Sequence, residues 1–407
     1  MKLSQRSARI YSVLALAGLF FAIFAPAKPT MITLSETGDA VQIASFSVPA
    51  QVMAWVCAGI MLAIAALSWL QYRDRVPSNR WLTPVFGLLF VAEVLTVLYA
   101  GENLTLTALL AGSLALAVPL IFGSLAGVLS ERSGVVNIAI EGQLLAGAFV
   151  SALVASLTDS LWVGLIAAAI AGAVVAWVLA VFAIKYLVDQ IIVGVVLNVL
   201  VVGLTNFLFS TLMNDLATFN SPPRFSSFPI PGLAQIPVLG PVLFDQTPIV
   251  YLMYVAVAVV WVALFKTRWG LRVRAVGEYP KAADTVGIKV FRTRYVSVIL
   301  GGCLAGFGGA FFTLGQVGAF GKEMTNGAGY IALAALIFGR WNPINAALAA
   351  LLFGFSENLQ FGLAIIGSSV PSEFLLMLPY VLTVIAVAGL VGRVVGPAAD
   401  GKPYIKS

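Results

Sequence analysis

The sequence contains no histidine and only two cysteines among its 407 residues. Histidine is the commonest metal ligand and the commonest general base near neutral pH, so its absence argues against both kinds of centre. Cys57 and Cys303 lie in apolar stretches without zinc or redox spacing, and we interpret them as small buried side chains. A G-x-x-x-x-G-K-[ST] phosphate loop is also missing. We therefore expect no enzyme activity and no cofactor bound by this chain.

Charged residues are scarce as well. They make up 10% of the chain, against 60% hydrophobic residues, whereas a soluble domain has about 25% charged residues. We predict an all-α polytopic membrane protein with about 10–12 transmembrane helices, since about 20 apolar residues span a bilayer. The candidate spans are 10–27, 49–71, 81–100, 105–128, 135–157, 161–184, 190–212, 248–265, 295–316, 328–339, 344–365 and 374–392. Because 328–339 is too short to span, we interpret it as a broken or re-entrant half-helix.

The basic residues predict an orientation. With the N-terminus inside, alternating spans place 20 of the 23 Lys and Arg residues on the inner side. Positive charge favours the cytoplasmic side, so we expect both termini in the cytoplasm of a bacterial inner membrane. The net charge of +6 follows from this bias and does not indicate nucleic-acid binding. Lys2 to Ala27 also resembles a cleavable signal peptide, but its long apolar run favours an uncleaved first span.

Composition divides the chain into three regions. Residues 1–104 hold about three ordinary spans, and we predict an accessory transmembrane region there. Residues 105–396, including the basic loop 266–294, hold most glycine-rich helices and buried amides, and we predict the core domain there. Residues 397–407 form the predicted cytoplasmic tail.

Polar residues run directly into an apolar helix at 127–148. Charges at a bilayer usually face protein or a water-filled path, so this segment indicates transport. Glu141 has two interpretations: a contact in the translocation path or to a second permease, or a local ion pair with Arg132 or hydrogen bond to a helix terminus. Asn137 fits a cap or an interhelical bond. The polar motif consists of Glu131, Arg132, Asn137 and Glu141.

The loop 266–294 carries eight basic and two acidic residues. Within it, Pro280 suits the first position of a short helix, Glu278 its positive end and Gly287 its stop. Such a helix on the membrane surface transmits force from a soluble partner, whereas the alternative is a basic loop held by anionic lipid. The coupling candidates are Gly277, Glu278, Pro280, Lys281, Ala282, Asp284 and Gly287.

Four ordered stretches resemble one protein family. Ser130–Gly142 (SERSGVVNIAIEG) is similar to the signature of the integral-membrane permeases of bacterial ABC importers for branched-chain amino acids, simple sugars and nucleosides. The stretches 277–290 and 329–343 resemble its coupling loop and second block. The fourth stretch, residues 378–393 together with 397–404, resembles the C-terminal end of its nucleoside-type members.

The resemblance implies several partners. These are a cytoplasmic ABC ATPase that binds ATP and Mg²⁺, a second permease subunit that is often a different one, and an extracytoplasmic binding protein or lipoprotein. The substrate is then a small molecule carried by alternating access, most readily a nucleoside, with membrane lipid around the helices. Simple sugars and branched-chain amino acids remain alternatives, and an ion-coupled secondary transporter using Glu93 or Glu357 is the alternative from another class.

Amides and aromatic rings inside the spans are the substrate-path candidates, because a nucleobase offers donors, acceptors and a π-face. Asn198 and Asn206 lie about 80° apart on one helix, with interhelical bonding as the alternative role for Asn198. The candidates are Asn198, Asn206, Phe207, Gln316, Glu357, Asn358, Gln360 and Phe361.

Overall fold

The computed structural model describes residues 5–35, 41–74, 81–213, 217–366, 377 and 395–406. These residues form thirteen α-helices and five short strands. The helices are α1 Gln5–Ile23, α2 Ala50–Arg73, α3 Leu82–Leu98, α4 Leu106–Glu131, α5 Ile140–Thr158, α6 Leu161–Ala180, α7 Gln190–Leu208, α8 Pro248–Lys266, α9 Arg268–Glu278, α10 Pro280–Thr285, α11 Val290–Ala310, α12 Ala328–Phe338 and α13 Pro343–Ile365. The π-helical segments are Val181–Lys185, Phe209–Met213, Gly240–Phe244 and Phe311–Val317, and Ala217–Phe219 is a 3₁₀ turn.

Within the described residues, eight helices are long and apolar enough to cross a membrane, and three shorter apolar helices accompany them. The all-α polytopic class is therefore confirmed. The half-helix predicted at 328–339 corresponds to α12, an 11-residue helix. The predicted span 374–392 lies outside the described residues.

Some predicted boundaries were wrong because short strands interrupt the polar connections. Helix α1 ends at Ile23 rather than at residue 27, and the chain then enters β1 (Pro29–Thr33). Strand β1 pairs antiparallel with β2 (Phe46–Pro49) and parallel with β3 (Asn103–Thr105). A second pair joins β4 (Phe228–Pro229) to β5 (Asp245–Gln246). Backbone groups in these connections thus bond to one another.

The basic loop 266–294 is mostly helical, which is a second correction. Helix α9 occupies its first part and α11 already begins at Val290. In α9, Val273 and Val276 are buried while Arg268 and Arg272 are exposed. This one-sided pattern is typical of an amphipathic helix. The high charge of the segment had instead predicted a loop. The helix α5 likewise begins at Ile140, five residues after the predicted start, because residues 132–139 form a loop.

The chain divides into two compact units. The first contains residues 1–111, 231–244 and 359–378, and the second contains residues 112–230, 245–358 and 379–407. In the second unit, helices α5, α6 and α11 approach one another closely at glycines. A Cβ atom at Gly306 would collide with the backbone of Ala168, and one at Gly172 with the carbonyl oxygen of Gly302. Small residues at such positions let membrane helices pack backbone to backbone.

Candidate functional site

Glu141 lies in the first turn of α5 and is 7% exposed. Its Oε1 accepts hydrogen bonds from the Thr325 hydroxyl at 2.6 Å and the Gly327 backbone N–H at 2.9 Å. Its Oε2 accepts one from the Gly329 N–H at 2.6 Å. These donors surround the start of α12, where a helix favours negative charge. The Glu141 carboxylate therefore fastens the N-terminal end of α12 to α5, which corresponds to the predicted alternative of a bond to a helix terminus.

Asn198 joins the same assembly from α7. Its Oδ1 accepts the Gly142 N–H at 2.8 Å, and its Nδ2 donates to the Ile138 carbonyl at 2.9 Å and the Tyr330 hydroxyl at 3.2 Å. The side chain is 3% exposed. Asn198 thus connects the start of α5 to the first turn of α12, as interhelical bonding would require. All of its described amide hydrogen bonds are made to other residues of this chain.

Asn137 forms a reciprocal amide pair with Gln143. The Asn137 Nδ2 donates to the Gln143 Oε1 at 3.2 Å, and the Gln143 Nε2 donates to the Asn137 Oδ1 at 3.1 Å. Both side chains are fully buried. The pair fixes the loop before α5, which positions Glu141 beside α12.

Glu131 and Arg132 hold the segment that follows α12. The Trp341 indole N–H donates to the Glu131 Oε2 at 2.6 Å, and the Arg132 Nε donates to the Trp341 carbonyl at 3.0 Å. Arg340 and Trp341 have φ values of 55° and 54°, a conformation that non-glycine residues adopt rarely. Burial lowers the pKa of Arg132, while the nearby Glu278 carboxylate opposes that shift. Polar residues of one motif therefore bind at both ends of α12, Glu141 at its start and Glu131 and Arg132 beyond its end.

The C-terminal tail, residues 395–406, meets the start of this motif and α9. The Ala399 N–H donates to the Gly277 carbonyl at 2.8 Å, and the Ala398 N–H to the Glu278 Oε2 at 3.3 Å. The Tyr404 ring packs against Val276 of α9, among other apolar residues. Together, the loop 131–137, the pair α9–α10 and the tail form what we call the junction.

Two charged side chains occupy the interior of the junction. Arg294 is 1% exposed, and its guanidinium donates to the Lys402 carbonyl at 3.2 Å. Burial raises the pKa of the Asp400 carboxyl to about 7, although the Arg294 guanidinium favours the charged form. Asp400 also interacts with the Glu131 carboxyl. The tail thus brings a titratable group against the polar motif.

The coupling candidates form the surface of the junction. Pro280 begins α10, as predicted, and Gly287 follows it with a φ of 84°. Lys281 and Ala282 are exposed, whereas Asp284 is half-buried. Gly277 lies so close to the Arg132 carbonyl that a Cβ there would collide with it. Glu278 ends α9 just before Tyr279, the residue that precedes α10, and it accepts a bond from the tail; its role at the positive end of α10 stays a prediction.

The remaining path candidates occupy separate places. The Asn206 Nδ2 donates to the Glu323 carboxylate at 3.0 Å, and the neighbouring Phe207 ring is 64% exposed. Asn358 donates to the Ser113 hydroxyl of α4 at 3.5 Å. The described contacts do not join these residues into one pocket.

Three further candidates complete that set. The Gln316 carbonyl accepts a bond from Arg224 at 3.3 Å. Glu357 is half-buried, Gln360 is buried and Phe361 is 46% exposed, all on α13. Their roles in a substrate path stay predictions.

Sequence reasoning missed several residues of these networks. Asp400 and Arg294 had no assigned role, and Thr325, Tyr330 and Trp341 were not site candidates. Asp400 is the one acidic residue between 395 and 406, and this isolation was the available signal. The others are ordinary in sequence, since the partner of Arg294 lies 108 positions away and those of Thr325, Tyr330 and Trp341 lie between 132 and 210 positions away.

Comparison with known proteins agrees with this geometry. The family model described as "Branched-chain amino acid transport system / permease component" matches residues 109–387. The chain belongs to this permease family. It is therefore a multi-pass membrane component of a transport system, and the resemblance found in the motifs is confirmed. No solved structure matches the chain.

Several curated relatives are bacterial or archaeal permeases. The chain is 41% identical over 314 residues to the guanosine ABC transporter permease protein NupQ of Bacillus subtilis, covering 74% of this chain and 97% of that protein. It is 40% identical over 316 residues to the nucleoside ABC transporter permease protein NupC of Lactococcus lactis, covering 74% and 98%. It is 37% identical over 246 residues to the putative glucose ABC transporter permease protein TsgC13 of Haloferax volcanii, covering 60% and 74%.

Proposed function

We propose that this chain is a permease subunit of an ATP-driven importer of nucleosides. The observation that carries the proposal is its identity of 41% and 40% to permeases named for guanosine and nucleosides, across 97% and 98% of their lengths. The permease named for glucose is 37% identical over a smaller share of both chains. Amides and aromatic rings at Asn206 and Phe207 suit a nucleobase and its ribose.

Helix α12 is the element that fits the moving part of an alternating-access cycle. Its start is held by Glu141, and the segment after its end by Glu131 and Arg132. Residues 131–141 therefore contact both ends of one short helix, and the same loop touches α9. Force applied at α10 reaches α12 through this loop, because packed elements transmit displacements rather than absorb them.

The partners in this proposal are a cytoplasmic ABC ATPase, a second permease subunit that completes the pathway, and an extracytoplasmic binding protein or lipoprotein. The exposed side chains of Lys281 and Ala282 on α10 offer the ATPase a convex contact. ATP and Mg²⁺ bind on that partner, and both termini of this chain face the cytoplasm. Twenty basic residues on the inner side support that orientation.

Uptake of radiolabelled guanosine tests the cargo. A host without its own nucleoside uptake would express the chain with the neighbouring subunits encoded beside it. We expect ATP-dependent uptake that unlabelled nucleosides compete and that glucose and leucine do not. If only glucose or only leucine competed, the proposed nucleoside cargo would be wrong, and the cargo would be a sugar or a branched-chain amino acid. Uptake that needs no ATPase, follows the proton gradient and disappears in Glu357→Gln would instead establish a secondary transporter.

The same assay tests the substrate path. Asn206→Ala and Asn358→Ala each remove an amide that offers a hydrogen bond worth about 1 kcal/mol, so we expect KM to rise roughly five-fold with unchanged protein levels. Unchanged uptake kinetics in both variants would remove these residues from the path.

Co-purification tests the coupling surface. Lys281→Glu/Ala282→Trp should lose the ATPase in mild detergent, because the change alters the charge and shape of the exposed face of α10. Lys402→Glu, an exposed charge reversal in the tail, is the control and should retain it. Retention by both variants would place the ATPase contact elsewhere.

A further inference from the structure

A cleft of about 960 Å³ opens between α9, the turn after α10 and the first turns of α11. Four basic side chains line it: Arg268, Arg272, Lys289 and Arg292. Its volume lies in the range of small-molecule sites. The cleft adjoins the coupling candidates at Gly287, although α10 itself supplies none of its lining residues.

The basic residues of the cleft carry uncompensated charge. All four side chains are exposed, and none forms an ion pair with another residue that the structure describes. No acidic residue is among the described residues that line the cleft. Four like charges around one opening repel one another, and an anion at their centre relieves that repulsion.

The walls of the cleft are apolar and continue along a membrane span. Leu271 is 61% exposed and Val286 is 75% exposed beside the basic residues. Val296, also in the lining, and Leu300, one turn further along α11, are 37% and 43% exposed. Both belong to an apolar helix long enough to cross the membrane. A basic opening that leads onto the hydrocarbon-facing side of a helix matches a molecule with an anionic head and apolar tails.

We propose that this cleft binds the headgroup of an anionic phospholipid, with its acyl chains along Val296 and Leu300. Helix α9 begins two residues after the apolar helix α8 ends, which places Arg268 at the edge of the bilayer. Basic pockets at this depth bind anionic headgroups, whereas a zwitterionic headgroup gains less. The bound lipid braces α9 against α11 and thereby the surface on which α10 sits. The proposal does not depend on the transported substrate.

Native mass spectrometry of the complete transporter complex in nanodiscs tests the proposal. The variant Arg272→Gln/Lys289→Gln removes two charges of the cleft. The control Arg9→Gln/Lys402→Gln removes one Arg and one Lys charge at exposed positions elsewhere. Wild type and control should retain phosphatidylglycerol in preference to phosphatidylcholine. The variant should bind it about 30-fold more weakly, which corresponds to roughly 2 kcal/mol for two lost contacts.

Three outcomes would overturn the proposal. Equal retention of phosphatidylglycerol and phosphatidylcholine by the wild type would show that the cleft does not select anionic lipid. Inorganic phosphate that displaces the lipid at micromolar concentration would identify a phosphate site without tail contacts. Loss of the ATPase from the variant, with lipid retention unchanged, would identify the cleft as a protein-docking surface. Val296→Asn, which removes only contact with the acyl chains, should weaken lipid retention without affecting the binding of inorganic phosphate.

Discussion

The N-terminal helices α1–α3 and the core helices α4–α13 each bury a glutamate, and the two differ in every contact. Glu141 in the core accepts three hydrogen bonds from Thr325 and the start of α12. Glu93 in α3 is 0% exposed, and neither carboxyl oxygen has a partner among the described residues. A buried carboxylate is stable only with donors around it. Glu141 therefore belongs to a hydrogen-bond network, whereas Glu93 lies among apolar helices without hydrogen-bond donors from the described residues.

Glycines show the same contrast. Gly59 and Gly87 of the N-terminal helices have no atom within 4 Å of a Cβ built on them. Gly172 and Gly306 of the core contact the backbone of a neighbouring helix so closely that a Cβ would collide. Close approach is not confined to the core, since the side chains of Met61 and Glu93 lie against Gly18 of α1. The family match begins at residue 109, so the backbone contacts at Gly172 and Gly306 lie in the region that the family shares. The role of residues 1–104 as an accessory region stays a prediction.

The largest effect is expected from Gly306→Ala, with Gly59→Ala as its control. The new methyl group at Gly306 meets backbone atoms of α6, which cannot rotate away, and overpacking costs about 1–3 kcal/mol or more. We expect a loss of most monodisperse protein in detergent and a lower Tm. Gly59→Ala should behave as wild type. Equal tolerance of both changes would remove the contrast between the two regions.

The next effect separates the two glutamates. Glu141→Gln places an amide NH₂ against backbone N–H donors and removes charge-assisted bonds, which should cost roughly 1.5–3 kcal/mol and abolish uptake. Glu93→Gln loses no hydrogen bond to a described residue and should leave Tm and uptake unchanged. Thermal unfolding and guanosine uptake measured on both variants check this. A stronger loss in Glu93→Gln would assign the N-terminal helices a direct part in transport.

The smallest effect concerns pH and the tail. The pKa of Asp400 is about 7 in the folded chain, above its ordinary value near 3.8. The folded state therefore binds more protons than the unfolded state between these values, so docking of the tail weakens as pH rises toward 7. The protection factors of residues 398–404, which remove the intrinsic pH dependence of amide exchange, should fall by at most about ten-fold per pH unit in that window. Asp400→Asn should abolish the dependence, and a dependence that persists would exclude Asp400 as its source.

The spans, the half-helix and the short coupling helix were predictable because each depends on local pattern. Length and hydropathy mark a membrane helix, and Pro280 with Gly287 marks the ends of α10. Helix α9 was missed because the ten charged residues among the 29 of its loop resemble a solvated connection, although its buried face contains Val273 and Val276. The sheet β2–β1–β3 was missed because its strands are three to five residues long.

The residue types of the site could be predicted from the sequence, but the contacts between those residues could not. The polar motif could be located from its charges beside an apolar helix. Its partners could not, since Glu141 bonds to residues more than 180 positions away. Glu278 shows the same limit: its sequence position suits the cap of α10, while its actual contact is the distant Ala398.

Composition and periodicity alone determined that this chain is a polytopic membrane protein, and its ordered motifs determined its family. These properties can be read from each segment by itself, because apolar segments suit the bilayer and polar segments suit water. Only the tertiary structure decided that Glu141, Glu131 and Arg132 secure the two ends of α12, and that the tail joins the polar motif to α9. Those contacts depend on the close approach of α12 to the Glu141 backbone at Gly329 and of α9 to the Arg132 carbonyl at Gly277, which sets distances between residues far apart in the chain.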